Sequence, residues 1–207
     1  LLSQFLPRLA AHAPETQVYS VVGNHGRMLG ERRMPTTGRW SNFDGLLYRA
    51  LCGWIEAAGA NHIRFDRSIC SRLRIATPHH VIQVQHGDEI RGGTFGSTGL
   101  SREYLHAAMR SVHTGATPPD IMILGDKHIS AQIPVGPGHC IYNGSFVGVD
   151  AYSMGFPPSR PSQTMLYLYP DRHETHVILL DRLPDDLAVP YRFKPDIEEF
   201  LNQYRHD

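Results

Sequence analysis

Histidine, asparagine and aspartate recur beside glycine at three places where an apolar run ends. The run QVYSVV leads into GNH at 23–25, VIQVQ leads into HGD at 86–88, and DIMIL leads into GDKH at 125–128. Neutral imidazole and carboxylate oxygens are ligands for zinc, manganese and iron, and imidazole also carries protons near neutral pH. These residue types indicate a metal site or an acid–base site, provided that the three places meet.

The elements that must bring them together are the three preceding strands. Ligands of open α/β sheets bind beyond the carboxyl ends of the strands, and each glycine allows a sharp turn with room for a ligand. Taken singly, Asn24 and His25 are more typical of a turn, and His86 and His128 are more typical of satisfied core histidines. Asp88 is more typical of a turn or cap than of a metal ligand. The site interpretation therefore depends on all three segments converging.

Periodicity and turn residues predict alternating helices and strands in the first two thirds of the chain and mainly strands afterwards, which is typical of an α/β layered fold. Asn42 and Ser101 are the predicted caps of two of the helices. The predicted helices are 1–12, 42–58, 100–113 and a short one near 195–204; the predicted strands are 17–22, 62–65, 73–76, 80–85, 120–124, 139–142, 163–169 and 174–180, the last two forming a hairpin.

Two further segments carry specific expectations. In the helix 42–58, the large apolar residues Leu46, Leu47, Trp54 and Ile55 fit a core face rather than a recognition surface. The loop 143–145 follows the strand HCIY, so it is either a tight turn or part of the site.

The composition excludes several classes of function. The 207 residues are 41% hydrophobic and carry no net charge, which suits one domain with a core and does not suggest a polybasic binder of nucleic acid or membranes. No apolar run reaches the roughly 18 residues of a membrane span. Three widely spaced cysteines favour a reduced, cytoplasmic setting, and the 13 histidines are the compositional outlier.

The motifs resemble those of the calcineurin-like metallophosphoesterases, which follow the order D-x-H, G-D-x-x-D/N, G-N-H-D/E, a lone His and G-H-x-H. The segments GNHGR, NFDGLLY, HGDEIRG, YNGSFVGVDAYS and PSQ are similar to the phosphoesterases often encoded by phages and prophages. This resemblance covers roughly residues 17–170. It implies a layered sandwich of two mixed β-sheets flanked by helices, lacking the N-terminal strands.

The resemblance also implies roles for single residues. Asn24, His86 and Asp126 match ligands of the second of two divalent metal ions, which would be manganese, zinc or iron. His128 matches a ligand of the first ion. His25 matches the histidine that contacts the phosphate and protonates the leaving oxygen.

The chain departs from the family pattern at three points. Asp126 stands where the family has histidine, and Gly26 stands where it has an acidic residue that orients the histidine. D-x-H and G-D-x-x-D/N are absent, so we expect an N-terminally truncated sequence with only part of the two-metal site. The domain would then span residues 1–183, followed by a tail, 184–207.

Arginines follow the GNH motif. Arg27 is placed to hold a phosphate oxygen in a bidentate fork. Arg32, Arg33 and Arg39 would extend a track for a nucleic-acid backbone, unless they belong to a solvated loop. The sequence thus predicts a metal-dependent phosphoesterase, with a nuclease acting on DNA or RNA as one form of it, and with no membrane partner. The alternative is a metal-depleted module of the same fold that serves as a binding or structural subunit.

Overall fold

The computed structural model describes residues 6–8, 10–28, 41–66, 70–90, 97–147 and 159–182. Its helices are α1 (Phe43–Ala57) and α2 (Ser97–His113). Its strands are β1 (Thr16–Val18), β2 (Ile63–Phe65), β3 (Arg72–Ala76), β4 (Val81–Gln85), β5 (Ile121–Leu124), β6 (Ala131–Val135), β7 (Gly138–Tyr142), β8 (Ser162–Leu168) and β9 (His173–Leu179). A 3-10 turn, Leu180–Arg182, follows β9, and residues 6–8 and 10 are helical. The predicted α/β class is confirmed.

The central element is a mixed five-stranded sheet in the order β3-β4-β5-β7-β6. Strands β4, β5 and β7 run parallel, with Gln85 beside Leu124 and Leu124 beside Tyr142 at their carboxyl ends. The loops that follow these three strands therefore leave the sheet at one edge. Of the three strands predicted to deliver the site residues, β4 and β5 lie in this sheet, but the strand before GNH does not, because among the described strands β1 pairs only with β2.

Both faces of this sheet are covered. On one face, Leu100, Tyr104 and Ala107 of α2 pack against sheet residues such as Met122 and Tyr142. On the other, Leu166 of the β8–β9 hairpin packs against Ile82, Ile121 and Ile141. The predicted hairpin is confirmed, with Ser162 paired to Leu179 and Leu168 paired to His173.

A second, smaller unit holds the beginning of the chain. Strands β1 and β2 pair in parallel, and Leu51 and Ile55 of α1 pack with Ala10 and Ile63. The predicted strand 17–22 is too long, because its partner β2 has only three residues and pairing stops at Val18.

Three other predictions need correction. Helix α2 begins at Ser97, so Ser101 lies inside the helix and does not cap it. Strand β6 was not predicted because Pro134 weakens the pattern; it is an edge strand, where proline is tolerated. In α1, Ile55 is buried, but Leu46, Leu47 and Trp54 are exposed, so the predicted core face is wrong for these three residues.

Two predictions lie outside the described residues: the short helix near 195–204 and the basic track through Arg32, Arg33 and Arg39. Within the described ranges, no helix is long and apolar enough to cross a lipid bilayer.

Candidate metal centre

Three of the predicted ligands converge on one point. His86 follows β4 directly, and its Nε2 lies 3.0 Å from Asn24 Oδ1 and 3.3 Å from Asp126 Oδ1. The Gly125 amide donates to the His86 carbonyl over 2.9 Å, which joins the loops after β4 and β5. Segments separated by 62 and 40 positions in the chain thus bring an imidazole, an amide oxygen and a carboxylate together.

Glycines shape the slot that holds the His86 ring. A Cβ added at Gly23 would lie 3.3 Å from His86 Cε1, and one added at Gly125 would lie 3.5 Å from its Nδ1. Gly87 has φ +107°, which side-chain-bearing residues rarely adopt. The glycines beside the polar residues therefore serve close approach, as the sequence predicts.

The carboxylate of Asp126 lies in a strained and crowded turn. Asp126 has φ 32° and His128 has φ 57°, both in the left-handed region that non-glycine residues seldom occupy. Lys127 Nζ lies 2.6 Å from Asp126 Oδ2. Burial raises the pKa of Asp126, but the hydrogen bonds from His86 and Lys127 outweigh it and lower the pKa to about 2. Asp126 is therefore an ionised carboxylate at neutral pH.

The remaining predicted residues lie in the same loops. His25 follows Asn24 directly, and His128 is two residues beyond Asp126. The His25 side chain is exposed and the His128 side chain is half-buried. The role of His25 as an acid and that of His128 as a metal ligand stay predictions.

Arg27 is held by an acidic residue of the second loop. Its Nη2 lies 2.5 Å from Asp88 Oδ2, and both side chains are partly exposed. This ion pair gives Asp88 a structural partner and places a guanidinium at the edge of the cluster. A phosphate bound by Arg27 would share the guanidinium with Asp88 or displace the Asp88 carboxylate from it.

Sequence reasoning did not identify Asn42 and Asp44 as residues that hold the GNH loop. Asp44 Oδ2 accepts a hydrogen bond from the Gly23 amide over 2.8 Å, and Asn42 Nδ2 donates to the Gly23 carbonyl over 2.9 Å. Asn42 Oδ1 also accepts from the Asp44 amide, which confirms it as the cap of α1. The Asn-x-Asp pattern at the start of the helix predicts a cap, but it does not predict that these two side chains also bind Gly23.

The loop 143–145 joins the sheet to the hairpin. Asn143 Oδ1 accepts from the Thr164 amide over 2.8 Å, and Asn143 Nδ2 donates to Gln163 Oε1 over 2.9 Å. A Cβ at Gly144 would lie 2.1 Å from Ser162 Oγ. These contacts give the loop a structural role, and its part in the site stays a prediction.

The donor set fits a divalent cation in part. The His86 Nε2 atom faces two oxygen atoms, an arrangement that a shared proton or a shared cation can satisfy. Among the described residues, however, no group of three or more His, Cys, Asp or Glu side chains has the geometry to hold a metal ion. The described ligands therefore amount to one His, one Asp and one Asn, fewer than a closed protein site requires.

Comparison with known proteins gives similarity in structure only. No protein-family model and no curated protein matches the chain. The chain is similar to Vps29 from Entamoeba histolytica complexed with Zn²⁺, with 14% identity, a TM-score of 0.47, and 86% of this chain and 88% of that chain covered.

Two other solved structures have comparable scores. A predicted phosphoesterase from Streptococcus pneumoniae shares 11% identity, with a TM-score of 0.42 and coverage of 86% and 89%. Vps29 from Chaetomium thermophilum shares 11% identity, with a TM-score of 0.41 and coverage of 77% and 96%. We argue the function from the residues of the site.

Proposed function

We propose that the chain is a metal-dependent phosphoesterase that hydrolyses phosphomonoesters or phosphodiesters, with nucleic acid among the candidate substrates. The observation that carries this proposal is the convergence of Asn24, His86 and Asp126. Three loops that are distant in sequence place three metal-compatible donor atoms together at the strand ends. A solvated turn or a core histidine needs no such convergence.

Each residue of the cluster has a distinct task in this proposal. His86, Asn24 and Asp126 would hold one divalent cation, and His128 would contribute to a second. Bound manganese, zinc or iron supplies a Lewis acid and a water of lowered pKa. His25 would donate a proton to the leaving oxygen, and Arg27 would hold a non-bridging phosphate oxygen through two N–H groups.

The second candidate function is a non-catalytic binding module of the same fold. The observation that favours it is Lys127, whose ammonium group lies 2.6 Å from the Asp126 carboxylate. A lysine in this position neutralises the carboxylate and competes with a cation for it. A chain in which this ion pair takes the place of a metal ion would keep the loops of the site but would not hydrolyse phosphate esters.

Metal titration distinguishes the two candidates. We expect calorimetric binding of Mn²⁺ or Zn²⁺ to the wild-type protein and at least about tenfold weaker binding in His86→Ala and Asp126→Asn, because each loses a ligand. Lys127→Met should bind more tightly, because the competing ammonium group is removed. His79→Ala, at an exposed histidine, is the matched control.

Hydrolysis of bis-p-nitrophenyl phosphate and of p-nitrophenyl phosphate then tests the catalytic step. Activity that depends on manganese and disappears in His86→Ala supports the enzyme. Equal metal affinity in wild type and His86→Ala would contradict the ligand assignment. Metal binding without hydrolysis would favour the binding module.

A further inference from the structure

The outward face of α1 is apolar along its whole length. Its large side chains, Phe43, Leu46, Leu47 and Trp54, are 61%, 51%, 55% and 56% exposed. The small residues Ala50, Gly53 and Ala57 occupy the same face and are exposed as well. The opposite face, with Leu51 and Ile55, is buried in the core. Helix α1 also carries the exposed Arg49 and Glu56 beside this face. A contiguous exposed apolar face of this kind fits a partner better than it fits water.

Gly53 is unexplained by the rest of the chain. It lies inside the helix with an ordinary backbone, and a Cβ added there would have no neighbour within 4 Å. Glycine weakens a helix relative to alanine, so an interior glycine with open space beside it brings a cost without a local benefit. A partner whose backbone or large side chain packs closely against Gly53 would offset this loss of helix stability.

The positions on this face are symmetric about Ala50. The apolar residues lie three, four and seven positions before Ala50, and again three, four and seven positions after it. If a second copy of α1 packs antiparallel with the two-fold axis at Ala50, Phe43 meets Ala57, Leu47 meets Gly53, and Leu46 meets Trp54. Two of these pairs match a large side chain to a small one, as close helix packing requires.

We propose that this face of α1 is a homodimer interface, in which two copies of the chain pack their α1 helices antiparallel around Ala50. A two-fold interface uses the same patch on both subunits, and this patch is complementary to itself. Because an exposed aromatic side chain contributes on the order of 100 Å² or more, the two copies would bury roughly 1,000 Å², the lower bound of a specific interface. The chain has no net charge, so two copies do not repel each other at long range.

The proposal does not depend on phosphoesterase activity, and it is tested on the full chain without metal. Sedimentation velocity over a range of concentrations should show a dimer for the wild type. Leu47→Glu should weaken the dimer by at least about tenfold, because it would bury a charge in an apolar interface. Met109→Glu is the matched control, since Met109 is 61% exposed on α2, and the dimer should persist. Circular dichroism verifies that both variants are folded.

Cross-linking tests the geometry. In a Cys70→Ser background, Ala50→Cys should give a covalent dimer with a short bis-maleimide, because the axis brings the two thiols together. Met109→Cys should not. The other two cysteines, Cys52 and Cys140, are buried.

Three results would overturn the proposal. The first is a wild-type protein that stays monomeric at all concentrations. This result overturns the proposal whether the thiol of the Ala50→Cys variant reacts freely with maleimide or is protected by another segment of the same chain. The second is a dimer that Met109→Glu disrupts and Leu47→Glu does not. The third is a dimer in which Ala50→Cys fails to cross-link while Ala57→Cys does so efficiently.

Discussion

At the scale of the residue, Gly26 lies against side chains of α1. A Cβ at Gly26 would lie 2.2 Å from Asn42 Oδ1 and 2.6 Å from Asp44 Cγ and Oδ1. The position after His25 therefore has no room for a side chain, because α1 already brings the Asp44 carboxylate to it. The carboxylate next to this position belongs to Asp44, which lies 18 positions later in the chain.

This contact predicts a large penalty for a small substitution. Gly26→Ala should lower the free energy of unfolding by about 2 kcal/mol, because the methyl group displaces Asn42 and Asp44 from their hydrogen bonds with Gly23. Gly53→Ala is the control, since its methyl group enters open space and should raise stability by about 0.5 kcal/mol or more in the dilute, monomeric protein. Urea denaturation measures both, and equal effects would contradict the steric argument.

At the scale of the element, the two predicted helix caps differ in outcome. Asn42 is buried, caps α1 and holds Gly23, whereas Ser101 is exposed inside α2. Asn42→Ala should therefore cost about 1–2 kcal/mol of unfolding free energy, and Ser101→Ala should cost nothing measurable. Thermal or urea unfolding decides the point, and a stable Asn42→Ala protein would mean that the cap does not restrain the loop.

The turn of the β8–β9 hairpin is attached to the sheet by a buried histidine. His80 Nδ1 lies 2.8 Å from Asp120 Oδ2, and His80 Nε2 lies 2.6 Å from the Tyr169 carbonyl and 3.2 Å from the Arg172 carbonyl. Since both ring nitrogens face acceptors, the protonated imidazolium fits this position best. The hydrogen bond to Asp120 raises the pKa of His80. His173, on the hairpin, has a lowered pKa because of burial and the nearby His139 and His80.

These shifts predict how stability depends on pH. The contribution of His80 is complete below the ordinary histidine pKa of 6.5 and is lost as the pH rises through the raised pKa. His173 acts in the opposite direction, because stability is lost as the pH falls below 6.5 towards its lowered pKa. The difference in unfolding free energy between wild type and His80→Gln should therefore be largest below pH 6.5 and shrink in alkaline buffer.

Urea titrations across this pH range measure that difference, with His79→Gln at the exposed neighbouring position as the control. A difference that grows with pH would contradict the assignment of a protonated His80.

At the scale of the whole molecule, the candidate site joins the small unit of β1, β2 and α1 to the five-stranded sheet. Asn24 contacts His86, and Arg27 contacts Asp88. The segment that follows β1 therefore makes two contacts with the loop after β4. The Val22 amide also donates to the Cys70 carbonyl over 3.1 Å. The site is therefore a structural junction as well as a cluster of ligands.

A double-mutant cycle measures this junction. Arg27→Met and Asp88→Asn should each reduce stability, with a coupling energy of about 0.5–1 kcal/mol, because the pair is only partly exposed and spans the two units. The pair of Arg64 and Glu15 is the control, since both side chains are largely exposed, and its coupling should be close to zero. Equal coupling in the two pairs would mean that Arg27 and Asp88 do not stabilise the junction.

The sequence by itself determined the α/β class, the capping role of Asn42 and the parallel strands that end beside His86 and Asp126. Each of these depends on residues that are neighbours in the chain or on the edge that parallel strands share. Only the tertiary structure decided that Asp44 lies against Gly26, that Asn24 reaches His86 from outside the five-stranded sheet and that Lys127 pairs with Asp126. It also decided that Leu46, Leu47 and Trp54 face outwards, because a helix that is apolar on both faces has no local signal for the face that the core will cover.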